Sequence, residues 1–262
     1  MAELMCQKFN NVWSDFPESV GEDGNCQSNM SDYWETLFTK KCCDNDIDKV
    51  NAVSFWLLVQ NFGDGSTFTK NVNSDIDIVY YIVIWLIHML RLKDGSQIDN
   101  VMKFYNTCIN PTKEYINSIK DNNDYNTYKN LIDNKLYLMN TGIKDISIFY
   151  DALKSLCNMY NEFGDDDSSC TENLNDAKKF VEKYEILLNN NDTDTEDSLY
   201  SQILSILSTD YDNFVKKCYE KKGCGNLPSL PVYPRSFSIK MTLIPITFIF
   251  VAIPIFLEFA YK

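Results

Sequence analysis

The residues of this chain with the widest potential chemistry are its nine cysteines. They are Cys6, Cys26, Cys42, Cys43, Cys108, Cys157, Cys170, Cys218 and Cys224. No C-x-x-C pair occurs among them and the chain has a single histidine, which removes the usual Cys/His zinc sites. We expect disulfides, and the alternative is that the cysteines are small buried hydrophobic residues. Because the count is odd, at least one thiol stays unpaired within a monomer.

Two local cysteine pairs could be bridged. Cys157 and Cys170 flank the acidic loop 164–167, and Cys218 and Cys224 enclose the turn YEKKG. Short loops of this kind bring two cysteines within reach without help from the rest of the fold. The remaining cysteines have no partner that spacing alone can identify.

His88 is the only histidine, and it lies in an apolar run. A histidine there is usually a core residue, because general acid–base catalysis needs a reachable cleft and an orienting partner. The adjacent Cys42 and Cys43 do not form a redox motif, since neighbouring Cβ vectors point apart. No nucleophile elbow, P-loop, dinucleotide fingerprint or zinc-protease motif occurs. The sequence therefore predicts no catalysis, no cofactor and no enzyme class.

The acidic runs match calcium-binding loops only in part. The run Asp44–Asp48 has carboxylates at the first three ligand positions of an EF-hand loop, but Lys49 and Phe55 replace its glycine and its bidentate glutamate. The run 192–197 fails at the same two positions, and 165–167 is most simply a solvated loop. We expect no built metal site, and at most weak, adventitious Ca²⁺ binding.

The whole chain is acidic, with 24 Lys and Arg residues against 37 Asp and Glu residues and a net charge of −13. Such a body repels phosphate backbones, so the sequence predicts no nucleic-acid partner. A basic protein surface would instead be attracted to it.

The elements that must position these residues are helices. Apolar residues recur every three or four positions and no sustained two-residue alternation is present, so the predicted fold class is all-α, a multi-helix bundle. Buried helix faces are predicted over 146–160, 174–188 and 199–218. The last face could be broken near Asp210, where a new helix could be capped. A further helix is predicted over Asp46–Phe62, ended by Gly63.

The most apolar internal run, Ile78–Leu92, predicts a central helix. Its start is marked by polar and acidic residues over 73–77, and its end by Arg91 and Gly95. The run is too short to cross a membrane and is apolar on all sides. We expect it to be the core around which the other helices pack.

The C-terminal segment predicts a membrane span. Met241–Leu257 has 17 consecutive residues without a charge, the lower limit for a spanning helix, and its two prolines are tolerated there. The alternative is a buried core helix. The proline-containing segment before it predicts a stiff, extended stalk. The predicted organisation is an ectodomain over 1–224, a stalk over 225–240 and a single-pass transmembrane segment over 241–262.

Several long stretches, among them DIDIVYYIVIWLIHMLRLK, DISIFYDALKSLCNMYNEF and IPITFIFVAIPIFLEFAYK, occur in one order along the chain. Together they resemble the PIR (Plasmodium interspersed repeat) multigene family of malaria parasites, in particular the CIR, BIR and YIR forms from rodent parasites. The resemblance implies a variant protein exported by blood-stage parasites to the infected red cell or its surface. It also implies an α-helical, disulfide-linked ectodomain without enzymatic activity. A missing secretory signal, as at this N-terminus, is usual in the family.

The resemblance extends to most of the cysteines. Those at matching positions are Cys6, Cys157, Cys170, Cys218 and one of Cys42 and Cys43. Cys108 stands where an aromatic residue is more common, so it is the candidate free thiol. The family often has a second cysteine soon after the position of Cys170; it is missing here, and Cys224 could substitute for it. The family also continues past Lys262 with a basic tail, so the chain is expected to be truncated and its membrane orientation cannot be read from flanking charges.

Two functional hypotheses follow. The first is a single-pass exported or surface antigen whose ectodomain binds host proteins or receptors and serves immune evasion and chronic infection. The polar loops 121–130 and 189–197 are its candidate contact surfaces, and plain solvated linkers are the alternative. The second hypothesis is a membrane-anchored intracellular structural or remodelling protein, in which the cysteines would be reduced.

Overall fold

The structure is a computed structural model, and it describes residues 2–16, 46–63, 71, 76–93, 145–163, 169–190, 199–220 and 226–231. Within these ranges the regular elements are all helices. They are α1 (Ala2–Asp15), α2 (Asp46–Phe62), α3 (Ile76–Lys93), α4 (Ile146–Glu162), α5 (Ser169–Asn189) and α6 (Leu199–Glu220). The predicted all-α class is confirmed for this part of the chain.

The ends of α2 and α4 follow local sequence signals. At the end of α2, Gly63 has φ 80°, a left-handed conformation that glycine adopts without steric cost, and its N–H donates to the Val59 carbonyl at 2.8 Å. At the start of α4, the Asp145 carbonyl accepts from the N–H groups of Ile148 and Phe149. The predicted stop at Gly63 is therefore confirmed.

The helix predicted as the centre of the bundle, α3, is buried over its middle part. Every residue from Ile78 to Leu90 is buried, including His88. The expectation that the other helices pack around α3 is not met in the described part, where α4 contacts α1, α3, α5 and α6 while α3 packs mainly on α2 and α4. Buried small residues of α4, such as Ala152 and Ser155, let neighbouring helices approach it closely.

The last helix, α6, runs unbroken from Leu199 to Glu220. The expected break near Asp210 is wrong. Asp210 does not cap a new helix, because its side chain accepts a hydrogen bond from Tyr81 of α3 instead. The helix can therefore continue through it.

After α6 the chain folds back against this helix. Residues 227–231 have no regular secondary structure, and the Tyr211 hydroxyl donates to the Pro228 carbonyl at 2.6 Å. Tyr211 lies well before the end of α6, so the beginning of the predicted stalk lies against the body. Within the described ranges, no helix has the length and hydropathy to cross a membrane. Residues 241–262 lie outside these ranges, and the span stays a prediction.

Candidate functional site

A disulfide bond joins α1 to α4. Cys6 of α1 and Cys157 of α4 are bonded, with their Cα atoms 4.7 Å apart and 151 residues between them in the sequence. Both side chains are fully buried. The predicted local pairing of Cys157 with Cys170 is therefore wrong in this structure, since a cysteine forms only one such bond. In the chain-entropy model, closing a loop of this length stabilises the fold by about 5 kcal/mol.

The other predicted disulfide positions are less fully described. Cys218 is buried on the inner face of α6, and its expected partner Cys224 lies outside the described residues. Cys170 falls in the first turn of α5, where the backbone alone is described. The rest fall outside the described residues, and they are Cys26, Cys42, Cys43 and the candidate free thiol Cys108. Their pairing remains a prediction.

Three further polar contacts hold α1 in place. The Asn161 amide of α4 donates to the Cys6 carbonyl at 3.2 Å, next to the disulfide. The Lys8 ammonium donates to the Gln60 carbonyl at 2.6 Å and to the Asn61 side-chain oxygen at 3.0 Å, and partial burial lowers the pKa of Lys8. Through these contacts α1 is fixed to α2 and α4.

The contact with α6 comes from the first turn of α1. Glu3 forms an ion pair with Lys217 of α6 at 2.5 Å, and the same ammonium lies 5.0 Å from the centre of the Phe163 ring. Both charged side chains are partly exposed, so solvent screens this pair. We name the disulfide and the polar contacts of Glu3, Lys8 and Asn161 together the α1 clasp.

Beside the clasp lies an aromatic stack that contains the single histidine. The His88 and Tyr150 rings are parallel, with centroids 3.9 Å apart, and Trp13 meets Tyr150 edge-on at 6.4 Å. The Lys154 ammonium lies 5.8 Å from the Trp13 ring and 5.9 Å from the Tyr150 ring. His88 is only 8% exposed. The structure thus places His88 in the core, as the sequence predicted.

A second polar cluster lies where α6 meets α3 and α4. The Tyr81 hydroxyl donates to the Asp210 carboxylate at 2.8 Å, and the Tyr160 hydroxyl donates to the Asp210 carbonyl at 2.9 Å. The neighbouring Tyr80 hydroxyl donates to the Gln202 amide oxygen at 3.3 Å. We name Tyr81, Tyr160 and Asp210 the Asp210 cluster. Sequence reasoning missed it, and the only signal was an acidic residue within an otherwise apolar helix face.

Burial raises the pKa of Asp210 to about 6. The Tyr81 hydrogen bond and the chain's amino terminus lower this pKa, whereas the negative charge of Asp77 raises it. Burial also raises the pKa values of Tyr81 and Tyr160, so both hydroxyls remain protonated donors. The cluster is a buried hydrogen-bond junction between three helices.

The predicted contact loops and acidic runs fall mostly beyond these helices. The segments 121–130 and 165–167 lie outside the described residues, and of 189–197 only Asn189 and Asn190 at the end of α5 are described. Among the described residues, no group of three or more His, Cys, Asp and Glu side chains is arranged to hold a metal ion.

The described residues thus form a helical body joined by a disulfide bond and by hydrogen bonds between its helices. Residues 6–262 match the family model described as Plasmodium variant antigen protein Cir/Yir/Bir. The chain therefore belongs to this family of Plasmodium variant antigens, and the resemblance seen in its sequence is confirmed.

A solved structure supports the same assignment. The chain is similar to the protein in "Structure of a Plasmodium PIR protein ectodomain", with 32% sequence identity and a TM-score of 0.64. The match covers 88% of this chain and 96% of the other. No curated protein sequence matches the chain.

Proposed function

We propose that this protein is a membrane-anchored variant antigen, exported to the infected red cell or its surface, that presents its helical body to host proteins. Residues 241–262 provide the anchor, and the protein serves immune evasion and chronic infection without catalysis. Family membership supports the antigen role. Location outside the cell and host binding are the parts of this proposal that need testing.

The observation that carries the proposal is the buried Cys6–Cys157 bond. Disulfides form and persist in oxidising surroundings, whereas the cytosol keeps thiols reduced. The two bonded cysteines are 151 residues apart in the sequence, so the bond depends on the tertiary fold that brings them together. A body built this way suits exposure to plasma. The net charge of −13 favours host partners with basic surfaces.

Protease treatment of intact infected red cells tests the location. We expect the described helices to be released as fragments while a parasite cytosolic protein in the same cells stays intact. Full protection until the cells are permeabilised would contradict the proposal and favour the intracellular structural or remodelling protein.

Peptide mapping without reduction tests the bond in native material. Trypsin leaves Cys157 and Cys170 on one peptide, 155–178, so a second cut after Glu162 is needed to separate them. The same glutamate-specific protease cuts after Glu3, so we expect peptide 4–8 to be joined to peptide 155–162. Reduced Cys6 and Cys157 in protein alkylated before lysis would argue for the intracellular alternative.

A further inference from the structure

Residues 226–231, which follow α6, show a regular pattern of exposure, and we name them the strap. Its two exposed residues, Asn226 and Ser229, are polar. The other four are apolar and half-buried, and they are Leu227, Pro228, Leu230 and Pro231. Exposure therefore repeats every third residue, which is the repeat of a polyproline II helix. The fixed φ of the two prolines favours the same conformation.

The body holds the strap in the way that a protein holds a peptide ligand. A polyproline II segment has no internal hydrogen bonds, so its carbonyl groups can accept from a partner. The Tyr211 hydroxyl donates to the Pro228 carbonyl at 2.6 Å, and burial raises the pKa of Tyr211, which keeps this donor protonated. The Tyr211 ring stacks on Phe180 of α5, with centroids 4.9 Å apart. Proline-containing segments are commonly recognised by aromatic side chains.

The strap belongs to the body but is less buried than the helices. The compact unit that contains the six helices ends at Pro231, the last residue of the strap. Inner residues of α6 such as Ile203, Leu207 and Phe214 are fully buried, whereas every residue of the strap is half-buried or exposed. Segments with few buried apolar contacts open at a lower free energy than the core. The strap can therefore leave the body while α6 stays folded.

We propose that the strap is releasable and that it sets the length of the tether, the chain between the body and the membrane. This inference rests on the proposed anchor at residues 241–262. With the strap bound, the tether begins after Pro231, and residues 232–240 span at most about 30 Å. With the strap released, the tether begins after Glu220, and residues 221–240 span at most about 70 Å. Release gives the body a longer reach from the same anchor.

Trypsin reports release of the strap once a cleavage site is placed on its exposed side. Ser229→Lys provides this site, and mass spectrometry measures cleavage after position 229 in the full chain, held in mild detergent. We expect Tyr211→Phe to speed this cleavage about five-fold, because cleavage follows the open population and one ordinary hydrogen bond is lost. Tyr219→Phe, at an exposed position of the same helix, is the control and should leave the rate unchanged.

A second variant covers the case in which Tyr211→Phe disturbs the helices, which circular dichroism would show. Leu227→Ser lies outside the helices and removes an apolar side chain from the half-buried side of the strap. It should also speed cleavage after position 229. Cleavage as slow in Leu227→Ser and in a folded Tyr211→Phe protein as in their absence would overturn the proposal.

Energy transfer to the membrane tests the tether. The full chain is placed in phosphatidylcholine vesicles, and transfer from its tryptophans to dansyl-labelled lipid is measured. We expect at least about two-fold less transfer in the Tyr211→Phe, Leu227→Ser double variant, because its longer tether lets the body move away. Equal transfer would overturn the role of the strap in setting the tether. A chain that does not float with the vesicles would overturn the proposed anchor and the tether with it, while the trypsin comparison would still decide whether the strap is released.

Discussion

Two helix junctions, α1 with α4 and α6 with α3, are held by different kinds of interaction. The first has a covalent bond between two buried sulfur atoms, supported by the edge-on contact of the Trp13 and Tyr150 rings. The second depends on a tyrosine hydroxyl that donates to one partly buried carboxylate. A reductant should therefore loosen the first junction, and a change of pH should act on the second.

The comparison shows how differently one bundle can use buried polar or reactive groups. The disulfide stabilises the fold by restricting the unfolded chain. The partly buried carboxylate of Asp210 destabilises the fold when it is ionised, because burial disfavours its charge, and the Tyr81 hydrogen bond offsets part of that cost. Removing the disulfide should therefore weaken the protein, and neutralising Asp210 should strengthen it.

The largest expected effect comes from the disulfide. A Cys6→Ala, Cys157→Ala double variant should lose about 3–5 kcal/mol of unfolding free energy, because its unfolded chain is no longer restricted by that loop. Urea titration of the full chain in mild detergent, followed by circular dichroism, measures the loss. The other cysteines are the same in both proteins, so the difference belongs to this bond. A double variant as stable as the parent would show that the bond contributes nothing.

The second effect has the opposite sign. The folded-state pKa of Asp210, about 6, lies above its ordinary value of 3.8, so folding binds a proton, and this contribution is complete below pH 3.8 and lost as the pH rises through 6. Asp210→Asn removes this dependence and should be more stable than the parent by about 3 kcal/mol at pH 7.4. The two proteins should be nearly equal at pH 4.

A matched control for that prediction is Asp212→Asn, which removes the same charge two residues further along α6. Unfolding free energies of the parent and both variants are measured between pH 4 and pH 8. The prediction fails if Asp210→Asn destabilises the protein at pH 7.4, or if both variants change stability with pH in the same way.

The third prediction compares two neighbouring tyrosines of α3, Tyr81 and Tyr80. Tyr81→Phe should cost about 2 kcal/mol at pH 7.4, because it removes a hydrogen bond to a buried charge. It should also raise the pKa of Asp210 further, since that bond lowers it. Tyr80→Phe is the control, and its longer bond to a neutral amide should be worth about 0.5 kcal/mol. Equal losses of unfolding free energy in the same urea titration would mean that the hydrogen bond to the Asp210 carboxylate contributes no more than the one to the Gln202 amide.

The smallest effect belongs to the ion pair that links the two junctions. Lys217→Ala should cost at most about 1 kcal/mol, because both partners of the Glu3–Lys217 pair are partly exposed. The cost should shrink in high salt. Lys216→Ala, at an exposed position of the same helix, serves as the control and should change stability little. A large loss that does not depend on salt would show that packing of the Lys217 side chain on Phe163 dominates.

Periodicity and local signals were enough to predict much of the fold. The all-α class, the bounds of α2 and the burial of α3 from Ile78 to Leu90 follow from the pattern of apolar residues and from Gly63. The core position of His88 follows from the same pattern. Long irregular motifs also identified the family, because their order persists over nearly the whole chain.

The sequence by itself therefore determined the helical segments from α2 to α6 and their apolar residues, since both depend on residues a few positions apart, whereas α1 was not predicted. Only the tertiary structure decided that Cys157 pairs with Cys6, that α4 contacts four helices, and that Asp210 lies under Tyr81. The first and the last of these choices join residues 151 and 129 positions apart. All three depend on which apolar faces meet when the helices pack, and the apolar pattern of one helix does not specify its partner.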